Sequence, residues 1–457
     1  MFGVKSGPAA PRQELTAQAL KNLFENSGDL CTRSVALGGG RGAAELCWLD
    51  GCVTARDLSE EIVRPLSALS GRGGAALFAA ALAGGIWAGA VRERRELSRL
   101  AEDLSLGSAA VFLPGADAAL AVEVRASIGR SVEAPTVERS VLGSRESFTE
   151  TLRTNTALLR RRLPGAGLVL RELRLGRETR TAAALVYLSG AAAPERVETI
   201  WQKLNDFSPA GITASGELER SLTAPPRGLF PQMIHTERPD RLVRGLLRGQ
   251  VGLLCDGLSV ALLLPVSLPL LMTVEEDRSR HALVALTLRL LRYAALLIAL
   301  LLPAVYTAAA MYHPEMIPHP LLQAVIRSRA QVPFSTATEV LGMLFSFELI
   351  QEAGVRLPEP VGQTVSLIGA LIVGQSAVEA KLLSPLVIIV VALAGIGGYA
   401  QPSQELTAAV RLWRFALVLL GAALGLFGVM AGGMLLLWRL CSMENLGVAW
   451  ISGEETP

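Results

Sequence analysis

Residues 332–406 read VPFSTATEVLGMLFSFELIQEAGVRLPEPVGQTVSLIGALIVGQSAVEAKLLSPLVIIVVALAGIGGYAQPSQEL. The stretch is apolar enough for a bilayer, yet it carries Glu339, Glu348, Gln351, Glu352, Gln363, Gln375 and Glu379. Carboxylates and amides are costly in hydrocarbon, so they should face a protein interior or a water-filled path. Glu348 and Glu352 stack on one helical face, and at ~100° per residue Glu339 falls on the opposite side. On Val361–Glu379 the small residues Ser366, Ala370 and Gly374 recur every fourth position, which predicts a close helix-packing seam. Gln375 and Glu379 project elsewhere on the same helix, toward a pore or toward neighbours that they hold by hydrogen bonds.

Outward from this stretch the chain stays apolar. Thr336–Ala353, Val361–Glu379, Leu386–Ala400 and Phe415–Trp438 are the candidate spans, preceded by a run of about twenty residues from Tyr293 to Tyr312. Arg280, Arg289 and Arg292 before that run place the N-terminal side in the cytoplasm under the positive-inside rule. HPEMIPHP makes a stiff turn, and PLLQAVIRSRAQ reads as an interfacial amphipathic helix. Arg411 and Arg414 suggest a cytoplasmic loop before the last span. Whether Thr336–Ala353 spans or re-enters leaves four or five crossings, and with them the side of the C-terminus, open.

Upstream the pattern is that of a soluble region. CTRSVAL and GAAELCWL are short strands around the turn Gly38–Gly42, and TARDLSEEIVRPL is a helix that Thr54 or Asp57 could cap. The glycine run lacks a GK[ST] ending and sits between strands, so it reads as a hairpin turn and not a phosphate loop. The order returns in LVLRELRLGRETRTAAALVYLSG and APERVETIWQKL. Each half closes on a further strand pair, SAAVFLPGADAALAVEV and QVGLLCDGLSVALLLP, with matching points roughly 140 residues apart. Ala75–Val91 and Val251–Met272 imitate spans. Arg92, Arg94 and Arg95 after the first point to a half-buried helix, and Asp256-Gly257, Pro265 and Pro269 make the second a core hairpin. Between the halves a helix ends in Arg160, Arg161 and Arg162, which either solvate its C-terminal end or dock anionic lipid or a partner.

The expected fold class is therefore an α+β cytoplasmic N-terminal region of two related α/β subdomains, followed by an all-α transmembrane bundle. The expected divisions are a leader over 1–27, subdomain 1 over 28–140, a connecting helix over 141–167, subdomain 2 over 168–275, the transmembrane domain over 276–440 and a tail over 441–457. Composition agrees: 51% of the 457 residues are hydrophobic and 18% charged, and mean hydropathy is +0.41. A net charge of +2 argues against a nucleic-acid partner. The first residues lack an apolar signal core, which leaves the N-terminus cytoplasmic. Cys31, Cys47, Cys52, Cys255 and Cys441 have no CxxC spacing, and His235, His281, His313 and His319 are scattered, so neither a metal nor a cofactor is expected. No catalytic motif is present, and the chain does not read as an enzyme.

PFSTATEVLGMLFSFELIQEAGVRLPEPVGQTVSLIGALIVGQSAVEAKLLSPLVIIVVAL closely resembles the membrane core of the GerA family of spore germination proteins. LDGCVTARDLSEEIVRPL, SRESFTETLRTNTALLRRRL, FPQMIHTERPDR and ALLIALLLPAVYTAAAMYHPEMIP resemble the same family in collinear order. The family takes in the A subunits of nutrient germinant receptors and the related stage V sporulation AF protein. The resemblance implies residence in the spore inner membrane, with a permease-like B subunit and a lipoprotein C subunit as partners. It also implies homo-oligomerisation and coupling of nutrient sensing to ion release. Glu339, Glu348, Glu352, Gln363, Gln375 and Glu379 are then the pore-lining or intramembrane polar candidates of a ligand-gated cation channel. The alternative is a non-conducting scaffold or signalling subunit. Secondary transport would call for inverted membrane repeats, and the only repeat legible here is in the soluble half.

Overall fold

The computed structural model describes residues 15–38, 42–69, 74–126, 138, 144–223, 228–356 and 374–451. Gln363, Ser366 and Ala370 lie outside them, as does most of the candidate span Val361–Glu379. The chain divides into two compact units, one within Met1–Pro226 and Met233–Pro265, the other taking Arg227–Gln232 and Val266–Glu454.

The first unit holds two antiparallel sheets. Helix α1 (Ala17–Leu23) leads into β1 (Leu30–Ala36) and β2 (Ala43–Leu49), which pair from Leu30↔Leu49 to Ala36↔Ala43. A helical run α2 follows over Ala55–Asp57, Leu58–Val63 and Arg64–Ala68, then α3 over Gly74–Ala80 and Ala81–Gly85. Next come β3 (Val91–Arg94), α4 (Leu97–Ser105), β4 (Ser108–Phe112) and β5 (Ala119–Glu123). Helix α5 (Leu152–Arg162) connects to β6 (Leu168–Leu175), β7 (Thr181–Leu188), α6 (Pro194–Asp206) and α7 (Ser215–Leu222). The unit ends with β8 (Ile234–Thr236), α8 (Pro239–Leu247), β9 (Val251–Cys255) and β10 (Ala261–Leu264).

The strand orders are β1-β2-β4-β5-β3 and β6-β7-β9-β10-β8, the same topology twice. The sequence pattern predicts four strands per half. The fifth, β3 or β8, escapes it because an edge strand of four or three residues is too short to display an alternating period. Neither Thr54 nor Asp57 caps α2 with its side chain. Thr54 is instead tied to the sheet through its own N–H, which donates to Val124 O at 3.1 Å.

In the first sheet, Leu46, Val111, Leu120 and Val122 pack with Ile62 and Leu66 of α2 on one side. Cys47, Ala110, Ala119 and Ala121 pack with Leu20 of α1 and Leu100 and Leu104 of α4 on the other. A sheet covered on both faces has no need of polar alternation, which explains why β4 is buried throughout. In the second sheet β9 and β10 are likewise fully buried, so the apolar Val251–Leu264 is a core hairpin. Its turn uses Gly257 at φ +80°, and the Asp256 carboxylate accepts from Leu152 N at 2.9 Å, bonding an orphan donor at the start of α5.

The second unit is helical: α9 (Ala282–Tyr312), α10 (His319–Arg329), α11 (Thr336–Arg356), α12 (Pro385–Tyr399) and α13 (Gln404–Cys441). Helices α9 and α13 are long and apolar enough to cross a membrane, by length and composition. Helix α9 begins well before the apolar run at Tyr293 and takes in Arg289 and Arg292. Arg292 is anchored on Asp277, with Nη2 donating to Oδ1 at 2.8 Å. Arg411 and Arg414 lie inside α13 and not in a loop, because Ser403 starts that helix by accepting from Leu406 N.

Helix α13 is not straight. Gly425 has φ +64° and ψ −148°, a non-helical conformation that favours glycine. A Cβ at Gly432 would lie 2.7 Å from Leu417 Cδ2 and from Leu420 Cδ1, and one at Gly421 would lie 3.0 Å from Val429 Cγ2. In a straight helix positions 417 and 432 stand about 22 Å apart. The segment expected as a single span, Phe415–Trp438, therefore doubles back at Gly425. Tyr312 packs against Gly425, and its hydroxyl donates to Ala422 O at 2.7 Å.

Beyond Cys441 the chain is folded where a tail was expected. Glu444–Asn445 pairs with Val448–Ala449, and Trp450 is 1% exposed. The indole Nε1 donates to Pro231 O at 2.8 Å, and the ring meets Phe230 at 5.4 Å between centroids.

Candidate functional site: ionisable groups inside the helical unit

Two carboxylates of α11 are held inside the second unit. Glu348 faces α13, where Arg414 Nη2 donates to Oε1 at 2.7 Å and Arg411 Nη1 donates to Oε2 at 3.2 Å. Arg414 is 3% and Glu348 23% exposed, so the pair is partly desolvated, and removing Glu348 would strand a buried guanidinium. Beside it is a cavity of about 10 Å³ that touches Gln351, Tyr399, Thr407 and Arg411. That is the size of about one water. Positions 411 and 414 lie on one helical face, a spacing that could have flagged them. Their partner is 63 and 66 residues away, which no local pattern reports.

Glu339 lies elsewhere on α11, with α12. It is 1% exposed, and its Oε2 accepts from Ser384 N at 2.7 Å. Ser384 is the N-cap residue of α12, so the carboxylate sits at a helix N-terminus, where backbone dipoles favour negative charge. Glu352 is exposed on α11, and Gln375 and Glu379 are exposed on the chain's surface. The structure thus gives Glu339 and Glu348 separate sites and gathers none of the other described candidates with them.

The expected small-residue seam is described only at Gly374, which is buried. Close approaches occur elsewhere: a Cβ at Gly397 would lie 2.6 Å from Ala295 O, and one at Gly421 would lie 3.0 Å from Ala304 O. Alanines of α9 facing glycines of α12 and α13 let these backbones nearly touch.

The basic run of α5 needs correcting. Arg160 is fully buried and cannot dock lipid or a partner. Its guanidinium donates to both oxygens of Asp29, at 2.9 and 2.8 Å, to Leu168 O at 2.7 Å and to Ser27 Oγ at 3.1 Å. One residue thereby joins the entrance of the first sheet to the start of the second. Arg153 does the same between Asp50 and Glu172. Arg161 and Arg162 share Glu146, which satisfies much of the charge that a docking surface would offer. An open cleft of about 720 Å³ near α6 and α7 is lined by Lys203, Arg220, Asp206 and Glu217, a balanced set that selects no charge.

Burial pushes the thiols of Cys47, Cys52 and Cys255 up to about 12, so they are inert at neutral pH. Among the described residues no group of three or more His, Cys, Asp or Glu side chains could hold a metal ion.

A family profile described as "Bacillus/Clostridium GerA spore germination protein" matches residues 18–453. The Bacillus subtilis spore germination protein KA is 36% identical over 365 residues, covering 80% of this chain and 67% of the relative. Spore germination protein B1 of the same organism is 31% identical over 434 residues, covering 94% and 89%. The uncharacterized membrane protein YfkQ, also from Bacillus subtilis, is 33% identical over 447 residues, covering 98% and 86%. The solved N-terminal domain of the A subunit of the Bacillus megaterium spore germinant receptor GerK3 is similar at 22% identity and a TM-score of 0.41, over 54% of this chain and 91% of that one. With a profile matched almost end to end, the chain belongs to the GerA family of spore germination proteins.

Proposed function

We propose that this chain is the A subunit of a nutrient germinant receptor in the spore inner membrane. Its N-terminal region faces the cytoplasm, and its helical unit conducts cations when nutrient is sensed. The working assembly is a homo-oligomer with a permease-like B subunit and a lipoprotein C subunit. One observation supports conduction above the rest: α11 buries Glu339 and holds the partly exposed Glu348 against two arginines within an apolar helical unit, and intramembrane ionisable groups mark ion paths by default. Glu352, Gln363, Gln375 and Glu379 complete the proposed polar lining, with Ser366, Ala370 and Gly374 as a packing seam.

A scaffold that does not conduct is favoured by a different observation. Glu348 is closed off by Arg411 and Arg414, as expected of a group that holds helices together. Ion release from spores carrying Glu348→Gln, Gln363→Ala or Gln375→Ala separates the two readings. The channel reading expects altered flux or selectivity in at least one variant at normal protein level. Unchanged flux in all three removes the pore assignment and leaves the scaffold.

A further inference from the structure

The hairpin that follows α13 makes its polar contacts with two short connectors. Asn445 and Val448 pair across a two-residue turn in which Leu446 and Gly447 have φ of +52° and +81°, the backbone that a tight hairpin needs. Leucine holds that conformation only where its surroundings impose it. Trp450 N closes the hairpin by donating to Met443 O at 3.0 Å, and Asn445 and Trp450 are 4% and 1% exposed. Asn445 Nδ2 donates to Gln232 O, and Trp450 Nε1 donates to Pro231 O at 2.8 Å. Trp450 O accepts from Leu268 N at 2.7 Å. One hairpin thereby holds the chain both at Pro231–Gln232 and at Leu268.

Both connectors run into one ribbon of the second sheet. Arg227–Gln232 packs with the helical unit, although the chain up to Pro226 and again from Met233 folds with the sheets. Gln232 is two residues before β8, and Leu268 is four residues after β10. These strands pair with each other, from Ala261↔Thr236 to Leu263↔Ile234. β8 is an edge strand of three residues, held to the sheet from the β10 side alone. The second connector is also tied to the helices. Arg292 of α9 directs Nη1 to Met272 O at 3.1 Å, and Gln401, just ahead of α13, directs Nε2 to Arg292 O at 3.2 Å. Because α13 reverses at Gly425, its start and its end reach the same connector, one through Arg292 and the other through Trp450.

We infer that the hairpin Glu444–Ala449, with Trp450, is a conformational strap that couples α13 to the β8–β10 ribbon. Buried Asn445 and Trp450 pass a movement of α13 to both connectors together, and paired strands whose exits move together shift as a unit. Coupling of this kind is reciprocal, so a change at the ribbon also biases α13. Simple packing would stabilise the connectors without passing a change in α13 to the ribbon, and that difference is measurable. A channel and a scaffold would be served equally, so the strap does not rest on conduction.

The test is hydrogen–deuterium exchange of the purified full chain in detergent. Tyr312→Phe perturbs α13 from α9, by removing the hydroxyl that donates to Ala422 O beside Gly425. With Trp450 in place it should change exchange in β8 and β10 at least threefold while β6 and β7 keep their rates. With Trp450→Ala the same substitution should leave β8 and β10 unaffected, which closes a double-mutant cycle. Trp450→Ala alone should accelerate exchange tenfold or more at 228–232, at 266–272 and in β8 and β10. Trp450→Phe keeps a ring against Phe230 but lacks the Nε1 donor. It should give a smaller acceleration at the same places, and it carries the cycle if the alanine variant does not fold. Acceleration confined to the connectors, or uniform across both sheets, overturns the coupling. So does a response of the ribbon to Tyr312→Phe that is the same with and without Trp450.

Discussion

Asp29→Ala is the sharpest probe of how the two sheets are joined. It removes the carboxylate that faces the Arg160 guanidinium, leaving a cation fully buried with Ser27 and the carbonyl oxygens of Gly165 and Leu168 as its remaining partners. Breaking a buried pair from one side costs about 3–5 kcal/mol. Three remaining hydrogen bonds soften that loss, and the Phe24 ring, 5.4 Å from the guanidinium, adds a weak cation–π contact. At about 1.36 kcal/mol per decade, amide exchange in β1 and β6 should accelerate by roughly two to four orders of magnitude. Hydrogen–deuterium exchange of the full chain reads this strand by strand. Asp29→Leu with Arg160→Met should recover only part of the loss, because Met cannot bond the carbonyl oxygens that Arg160 holds. Acceleration of less than tenfold, or acceleration confined to the few residues beside position 29, would refute the claim that this pair welds the sheets.

The hairpin at Gly425 puts Cys441 at the same end of the helical unit as Ser403. Cys441 is an exposed free thiol, whereas Cys47, Cys52 and Cys255 are buried. In a Cys31→Ser background a membrane-impermeant maleimide should therefore label Cys441 and a cysteine placed at Ser403 from one side, and labelling from opposite sides would mean that α13 runs straight. The acid limb of stability should involve Asp240. Burial pushes its carboxyl up, but the hydrogen bond and charge of Arg238 outweigh this and hold it below the usual carboxylate range. A lowered folded-state pKa stabilises above the unfolded value of about 4 and is lost as pH falls below it. The thermal midpoint of Asp240→Asn should accordingly be lower than wild type at pH 7 and converge with it toward pH 3; a constant gap across that range would dismiss the linkage.

Hydropathy and periodicity determined the division into α/β and helical parts and the duplicated order of strands and helices, and turn and proline residues decided the reading of Val251–Met272 as a core hairpin. Those are local properties, written in side chains a few positions apart, and turn chemistry such as Asp256-Gly257 reports them faithfully. The acidic positions that matter inside the helices were also legible, because a Glu in an apolar run is visible wherever it ends up. Only the tertiary structure decided their partners. Arg160 looks like the solvated end of a basic helix until Asp29, 131 residues earlier, is brought against it. Glu348 shows in the sequence only as an acid in an apolar run, and the fold alone brings Arg411 and Arg414 against it. The fold-back at Gly425 has the same origin: the apolar run Phe415–Trp438 suits a straight span equally well, and the choice depends on Tyr312 of another helix packing against the turn. Pairings of this kind are set by packing between distant segments, which the order of residues along the chain does not display.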